Sequence, residues 1–139
     1  MISGQLLHNQ YATAIDVYSF AILIWELLFE DNPYIYINKE KLFFESNFEE
    51  SIYAKLTNFN VLSHVEKGLR PVIPFHDLDA CVRWCEKFLT KEDANVEVVS
   101  NALFSVTNLI EKCWAYHPKD RPSFDQTLND LIEIKSLWR

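Results

Sequence analysis

Glycine is almost missing from this 139-residue chain: Gly4 and Gly68 are the only two. A glycine-rich loop that wraps backbone amides around a phosphate is therefore impossible here. Five prolines and no low-complexity or repeated stretch exclude a collagenous, solenoid or disordered reading. Basic residues are also few, with 13 Lys and Arg against 20 Asp and Glu and a net charge of −7. Such a chain repels a nucleic-acid backbone unless its cations cluster, and they do not. The longest apolar run, Phe20 to Phe29, is broken by Glu26 and falls short of the ~20 residues a membrane span needs. Three cysteines cannot all pair within one chain, and no basic start followed by an apolar run marks a secretory signal. Reduced thiols and a cytoplasmic location are expected.

What is abundant is apolar and aromatic material, 49% and 14% of the chain, enough for one compact domain spanning residues 1–139. The pattern is helical. From Thr13 to Glu30 the apolar residues wrap most of a helix, which places that helix inside the protein, with Thr13 as its N-cap and Asp31-Asn32-Pro33 as its stop. Residues 35–64 mix aromatics with acids and suggest two short helices at most. Val61 to Lys67 reads as a short helix ended by Gly68. Asp77 to Leu89 sets Leu78, Cys81, Val82, Cys85 and Phe88 on one face. Thr90 and Asp93 suggest a capping box for a helix reaching Trp114 that exceeds twenty residues. Ser123 with Gln126 opens a last helix.

Three blocks, in order, resemble the C-terminal lobe of protein kinases of the tyrosine-kinase-like group. Ile15-Asp-Val-Tyr-Ser-Phe-Ala-Ile-Leu-Ile-Trp-Glu-Leu-Leu28 with Asn32-Pro-Tyr34 is similar to the central αF helix of that family and its exit. Val65-Glu-Lys-Gly-Leu-Arg-Pro-Val-Ile-Pro74 resembles the segment after αG. Leu109-Ile-Glu-Lys-Cys-Trp114, continuing through His117-Pro-Lys-Asp-Arg-Pro-Ser-Phe124, resembles αH and the start of αI. The matching blocks, 11–34, 65–74 and 109–134, cover less than half of the chain. The implied fold is all-α, a kinase-like C-lobe running from αF to αI, with helical insertions at 35–64 and 75–108.

The resemblance also implies roles for particular residues. Asp16 takes the place of the aspartate that accepts amides of the catalytic loop; without that loop it reverts to an ordinary carboxylate near a helix start, satisfied by first-turn amides or water. Arg121 takes the place of the arginine that pairs with the glutamate of an Ala-Pro-Glu motif. Counting back from Asp16 puts that motif at Ser3-Gly4-Gln5, where Gln5 accepts a hydrogen bond but carries no charge. The alternative is that residues 1–10 do not align with the motif. Trp114 and Trp25 are core residues in the family and read the same way here. Ala21 replaces the family's usual glycine.

No Gly-x-Gly-x-x-Gly, His-Arg-Asp or Asp-Phe-Gly occurs, so the chain has no catalytic residue and no site for a cofactor or metal. ATP and magnesium are implied only for a complete kinase domain. Two functions follow. The chain is either part of a longer kinase of serine/threonine, or else tyrosine, specificity whose upstream lobe is its partner, or a catalytically dead, pseudokinase-like helical module that binds another protein. Cys81 and Cys85, four apart with His76 upstream, hint at metal ligands; buried core cysteines are the favoured reading, because structural zinc needs four ligands. His8, His64 and His117 are scattered. Glu45, Glu49 and Glu50 read as a solvated face in preference to a docking surface.

Overall fold

The structure, a computed structural model, describes residues 4–89 and 95–137, with side chains from Ala12 onward. Among the described residues it is all helical, with no strand. Six α-helices follow in order: α1 (Gly4–Phe29), α2 (Lys39–Leu42), α3 (Val61–Glu66), α4 (Leu78–Phe88), α5 (Val96–Cys113) and α6 (Phe124–Ser136). Short 3₁₀ turns cover Phe48–Glu50, Ile52–Lys55 and Pro118–Asp120. Helix α5 is the spine, packed against α1, α4 and α6.

Helix α1 is 26 residues long and corrects the expected start at Thr13. Gly4 to Ala12 contains no proline and no β-branched residue, while leucine, glutamine and alanine support helix, so the helix extends backwards past Thr13. Its buried residues Val17, Ala21, Trp25 and Phe29 recur every fourth position and form the face that meets the core. Ala21 is 1% exposed, so its methyl is accommodated. Helix α1 also corrects the membrane argument. Ala12–Phe29 has a mean hydropathy of 1.6 and is long and apolar enough to cross a membrane by length and composition, although the uninterrupted apolar run is short. Its face toward α5 is core packing, while Asp16 and Glu26, within the same stretch, are exposed.

The exit from α1 is fixed by Asp31, which sequence reading takes only as a stop signal. Its buried carboxylate accepts the amides of Asn32 at 2.7 Å and of Ile37 and Asn38 at 2.8 Å each. Pinning three amides to one side chain folds residues 31–38 into a compact turn. That turn returns Tyr36 to the core, where its ring lies 5.9 Å from Trp25 and 5.3 Å from Tyr53. Phe43 and Phe48 complete the cluster at 5.0 Å from one another. The aromatics of the first insertion thus mostly cover each other, while Phe59 is fully exposed.

Helix α3 ends as expected at Gly68, whose φ of +107° only glycine adopts freely. The amides of Gly68 and Leu69 bond back to Val65 and His64, closing the last turn. Helix α4 is capped by Asp77, whose carboxylate accepts from Ala80 at 2.7 Å. Trp84 donates its indole N–H to the Lys41 carbonyl at 2.9 Å and ties α2 to α4. Thr90 and Asp93 lie outside the described residues. The described cap of α5 is Asn95, which accepts from Glu97 and Val98, and the helix has 18 residues, not more than twenty. Ser123 caps α6 by accepting from Gln126 at 3.1 Å; the reciprocal half of the box is absent because the Gln126 amide turns to Asp130. Glu45 forms a two-point ion pair with Arg83, so it is not free for a basic partner.

Two substitutions test these anchors. Asp31→Ala strands three amides and is expected to lower unfolding free energy by about 2–4 kcal/mol in urea titration, with Asp31→Asn losing roughly half as much. Gly68→Ala forces a side chain into the left-handed region and is expected to cost about 1–2 kcal/mol by the same measurement; an unchanged midpoint contradicts the account of this cap.

Candidate functional site

Two features of α1 stand out, one near the described start of its side chains and one along its outer surface. Near the start, Tyr18 meets two guanidinium groups. Arg70 and Arg121 each place their central carbon 4.9 Å from the Tyr18 ring centroid. The electron-rich ring faces suit a cation, and the geometry is within cation–π range. Neither arginine meets a carboxylate; among the described residues the ion pair present is Arg83 with Glu45. Their donors go to carbonyls instead. Arg70 donates Nε to Trp114 O at 2.7 Å and Nη1 to Leu69 O at 2.9 Å and Val65 O at 3.2 Å. Arg121 donates Nε to Ala115 O at 2.9 Å and Nη1 to Ala14 O at 3.1 Å.

The two arginines thereby clamp three chain segments. Arg70 fixes the residues after α3 to the end of α5, and Arg121 fixes the turn before α6 to α1. Burial, and secondly the like charge of Arg70, press the Arg121 pKa below its ordinary value. The cluster extends to Tyr34, whose hydroxyl donates to Leu69 O at 3.3 Å. Burial, then the neighbouring Tyr18, push the Tyr34 phenol well up. Tyr34 has φ of +72°, a backbone conformation that costs a bulky residue roughly 1–3 kcal/mol.

The residues singled out from sequence fall as follows. Trp114 is buried at the C-cap of α5, with its carbonyl held by Arg70. Arg121 reaches α1 through the Ala14 carbonyl. Gln5 lies in α1, but its side chain is outside the described residues, so its pairing with Arg121 is too. Asp16 is not near a helix start: it sits three turns into α1, where the backbone amides are already used by the helix, and its carboxylate faces solvent. Arg70 belongs to the matching blocks, but Tyr18 was missed. Its signal was spacing alone: it stands one turn after Ala14, on the side of α1 that Arg121 reaches.

The outer surface of α1 mixes exposed apolar residues with the exposed Asp16, Ser19 and Glu26. Ile15, Leu23 and Leu27 are more than half exposed, Leu27 by 66%. Helix α6 continues the surface with Phe124, Leu128 and Ile132, all exposed. Phe20 and Phe124 meet edge to face at 6.2 Å and join the two helices. Between them a narrow apolar cavity is lined by Phe20 and Ile24 of α1, Val106 and Ile110 of α5 and Leu131 of α6. Among the described residues no group of three or more His, Cys, Asp or Glu could hold a metal. Beside this exposed apolar surface, α1 also presents the exposed carboxylates of Asp16 and Glu26.

Comparison with known proteins adds the remaining observation. No protein-family model and no solved structure matches the chain. A probable serine/threonine-protein kinase of Dictyostelium discoideum is 30% identical over 124 residues, covering 89% of this chain and 5% of that protein. The ankyrin repeat and protein kinase domain-containing protein 1 of Mus musculus is 29% identical over 122 residues, 88% of this chain and 11% of its own length. The serine/threonine-protein kinase STY17 of Arabidopsis thaliana is 28% identical over 127 residues, 91% and 15%. The chain spans a small part of the length of these relatives, and over about nine-tenths of its own length it is similar to protein kinases.

Proposed function

We propose that this chain is the helical C-terminal part of a protein kinase domain, in which the bare apolar surface along α1 and α6 is the seat of the segment that precedes it. The complete domain would then transfer phosphate from ATP to serine or threonine of a protein in the cytoplasm. The observation that carries the reading is the juxtaposition of that uncovered surface with a kinase likeness extending over most of the chain. Ser/Thr specificity is supported by the names of the relatives, one of which is instead a dual specificity kinase.

ATP and magnesium do not fit the residues present. A phosphate cradle needs close-packed glycines and a magnesium site needs convergent carboxylates. The chain has Gly4 and Gly68 far apart in sequence, and no acidic cluster occurs among its described residues. The part played by this chain is mechanical. Helix α1 offers a rigid platform, and the arginine clamps hold the flanking turns to it.

The decisive experiment is to sequence the full transcript. His-Arg-Asp and Asp-Phe-Gly motifs encoded upstream in the same frame are the expected result, and their absence sinks the reading in favour of a stand-alone interaction module. The surface itself is tested on the isolated chain. It is expected to bind an apolar dye and to self-associate on size exclusion, while Leu23→Glu with Leu27→Glu reduces both severalfold at unchanged helicity. A monomer that ignores the dye indicates a surface already covered.

A further inference from the structure

The turn before α3 holds an aromatic ring wholly in water. Phe59 is 100% exposed, and Leu62, three residues on, is 67% exposed. The turn that carries the ring is tightly bonded. The Thr57 hydroxyl accepts the amides of Phe59 and Asn60 at 3.3 Å each. The Asn60 side chain accepts the Thr57 amide at 2.8 Å and donates to the Lys55 carbonyl at 3.1 Å. The amides of Asn60 and Val61 both bond back to the Thr57 carbonyl. Two side chains thus fix a backbone whose tip is an uncovered phenyl ring, so little backbone freedom is left to lose when that ring is covered. A rigid aromatic projection belongs to the composition of interfaces more than to that of an ordinary solvated surface.

The same chain carries a surface complementary to that projection. The exposed apolar side chains of α1 and α6, joined through Phe20 and Phe124, are interleaved with exposed carboxylates: Asp16 and Glu26 on α1 and Asp125 at the start of α6. No Lys or Arg occurs between Ala12 and Phe29, and Lys135 comes only in the last turn of α6. Around Phe59 the sign is reversed. From Ser51 to His64 the one Asp, Glu, Lys or Arg is Lys55, which is exposed and in no ion pair among the described residues. An apolar surface bordered by acids and an apolar knob beside a cation attract one another at short range. The net charge of −7 on each copy opposes their approach, but beyond about 8 Å it is largely screened at physiological salt. Phe59 has none of its surface covered by its own chain, so its cover must come from another molecule.

We propose that Phe59 and Leu62 of one copy of this chain dock on the α1 and α6 surface of a second copy, with Lys55 set beside the carboxylates that border it. The contact is heterologous. Each copy in a pair keeps one free knob and one free receiving surface, so association runs on past the dimer as an open chain. The proposal is independent of the kinase reading, since it needs only the uncovered surface that this chain presents; any segment that covers α1 and α6 competes with the second copy for the same place.

The test is sedimentation velocity of the whole chain over a wide range of concentration. The average mass is expected to climb past that of a dimer and to fall back on dilution. Phe59→Asp, at a fully exposed position, is expected to weaken association about tenfold or more at unchanged helicity. Lys55→Glu weakens it severalfold and Lys55→Arg retains it, which keeps the test open if Phe59→Asp fails to fold. At concentrations where the unaltered chain associates, Phe59→Asp and the double variant Leu23→Glu with Leu27→Glu are each expected to stay monomeric. An equal mixture of the two forms a one-to-one dimer that grows no further, because one supplies the receiving surface and the other the knob. A monomer at every concentration, a mass that stops at the dimer, association unchanged in Phe59→Asp, or a mixture no heavier than its parts overturns the proposal. Association lost in the double variant yet unchanged in Phe59→Asp leaves the surface as the seat of another segment and removes the Phe59 contact alone.

Discussion

Trp25 has no exposed surface, and its indole N–H donates to the Val72 carbonyl at 2.7 Å. This bond joins the middle of α1 to the extended residues after α3, 47 positions later, and the rest of the core is arranged round it. Phe29 meets the indole at a tilt, 5.4 Å away within α1, and Tyr36 approaches at 5.9 Å from the Asp31 turn. Tyr36 in turn accepts the Val72 amide at 2.8 Å, so both polar groups of Val72 are satisfied by aromatic side chains. Tyr53 donates to Arg70 O close by, and burial pushes its phenol up to about 12. A segment that forms no sheet thus finds its hydrogen bonds in rings, which buries backbone without leaving it orphaned.

The same principle explains why Arg70 and Arg121 can lie close together. Two guanidinium groups over one ring repel, and desolvation adds to the cost. Five N–H contacts to carbonyls and the two cation–π contacts with Tyr18 offset it. Carbonyl acceptors carry no full charge, so the clamp works without a carboxylate. It also fixes geometry more than it adds attraction, since each planar fork bonds segments distant in sequence.

The elements legible in the sequence were those specified by short-range chemistry: Gly68 as the end of α3, Asp77 and the periodic face of α4, the Ser123 cap of α6. A capping serine or a left-handed glycine acts on neighbours within a few residues, so its meaning travels with the string. Where reading failed, a choice depended on distant partners. Thr13 resembled a cap, but the residues before it favour helix and nothing local stops them. Asp31 was read as punctuation, although its role depends on amides six and seven positions on. Tyr18 carries no mark of the two arginines that come to it from 52 and 103 positions away; only the fold brings them together. For the surface, an α1 apolar nearly all round was legible, and the faces that remain uncovered are those on which the sequence alone was silent.

That all-round apolarity has an energetic consequence. The inner face of α1 is already buried against α5, so the outer face adds nothing to the stability of this chain and exposes Ile15, Leu23 and Leu27 to water. Fully covering one such side chain contributes about 1.5–3 kcal/mol, and each is more than half bare. Covering the three, with Phe124, Leu128 and Ile132 beside them, gains several kcal/mol. A whole domain is stable by only about 5–15 kcal/mol. Any segment that covered this surface would therefore shift the folding balance as strongly as an element of the core.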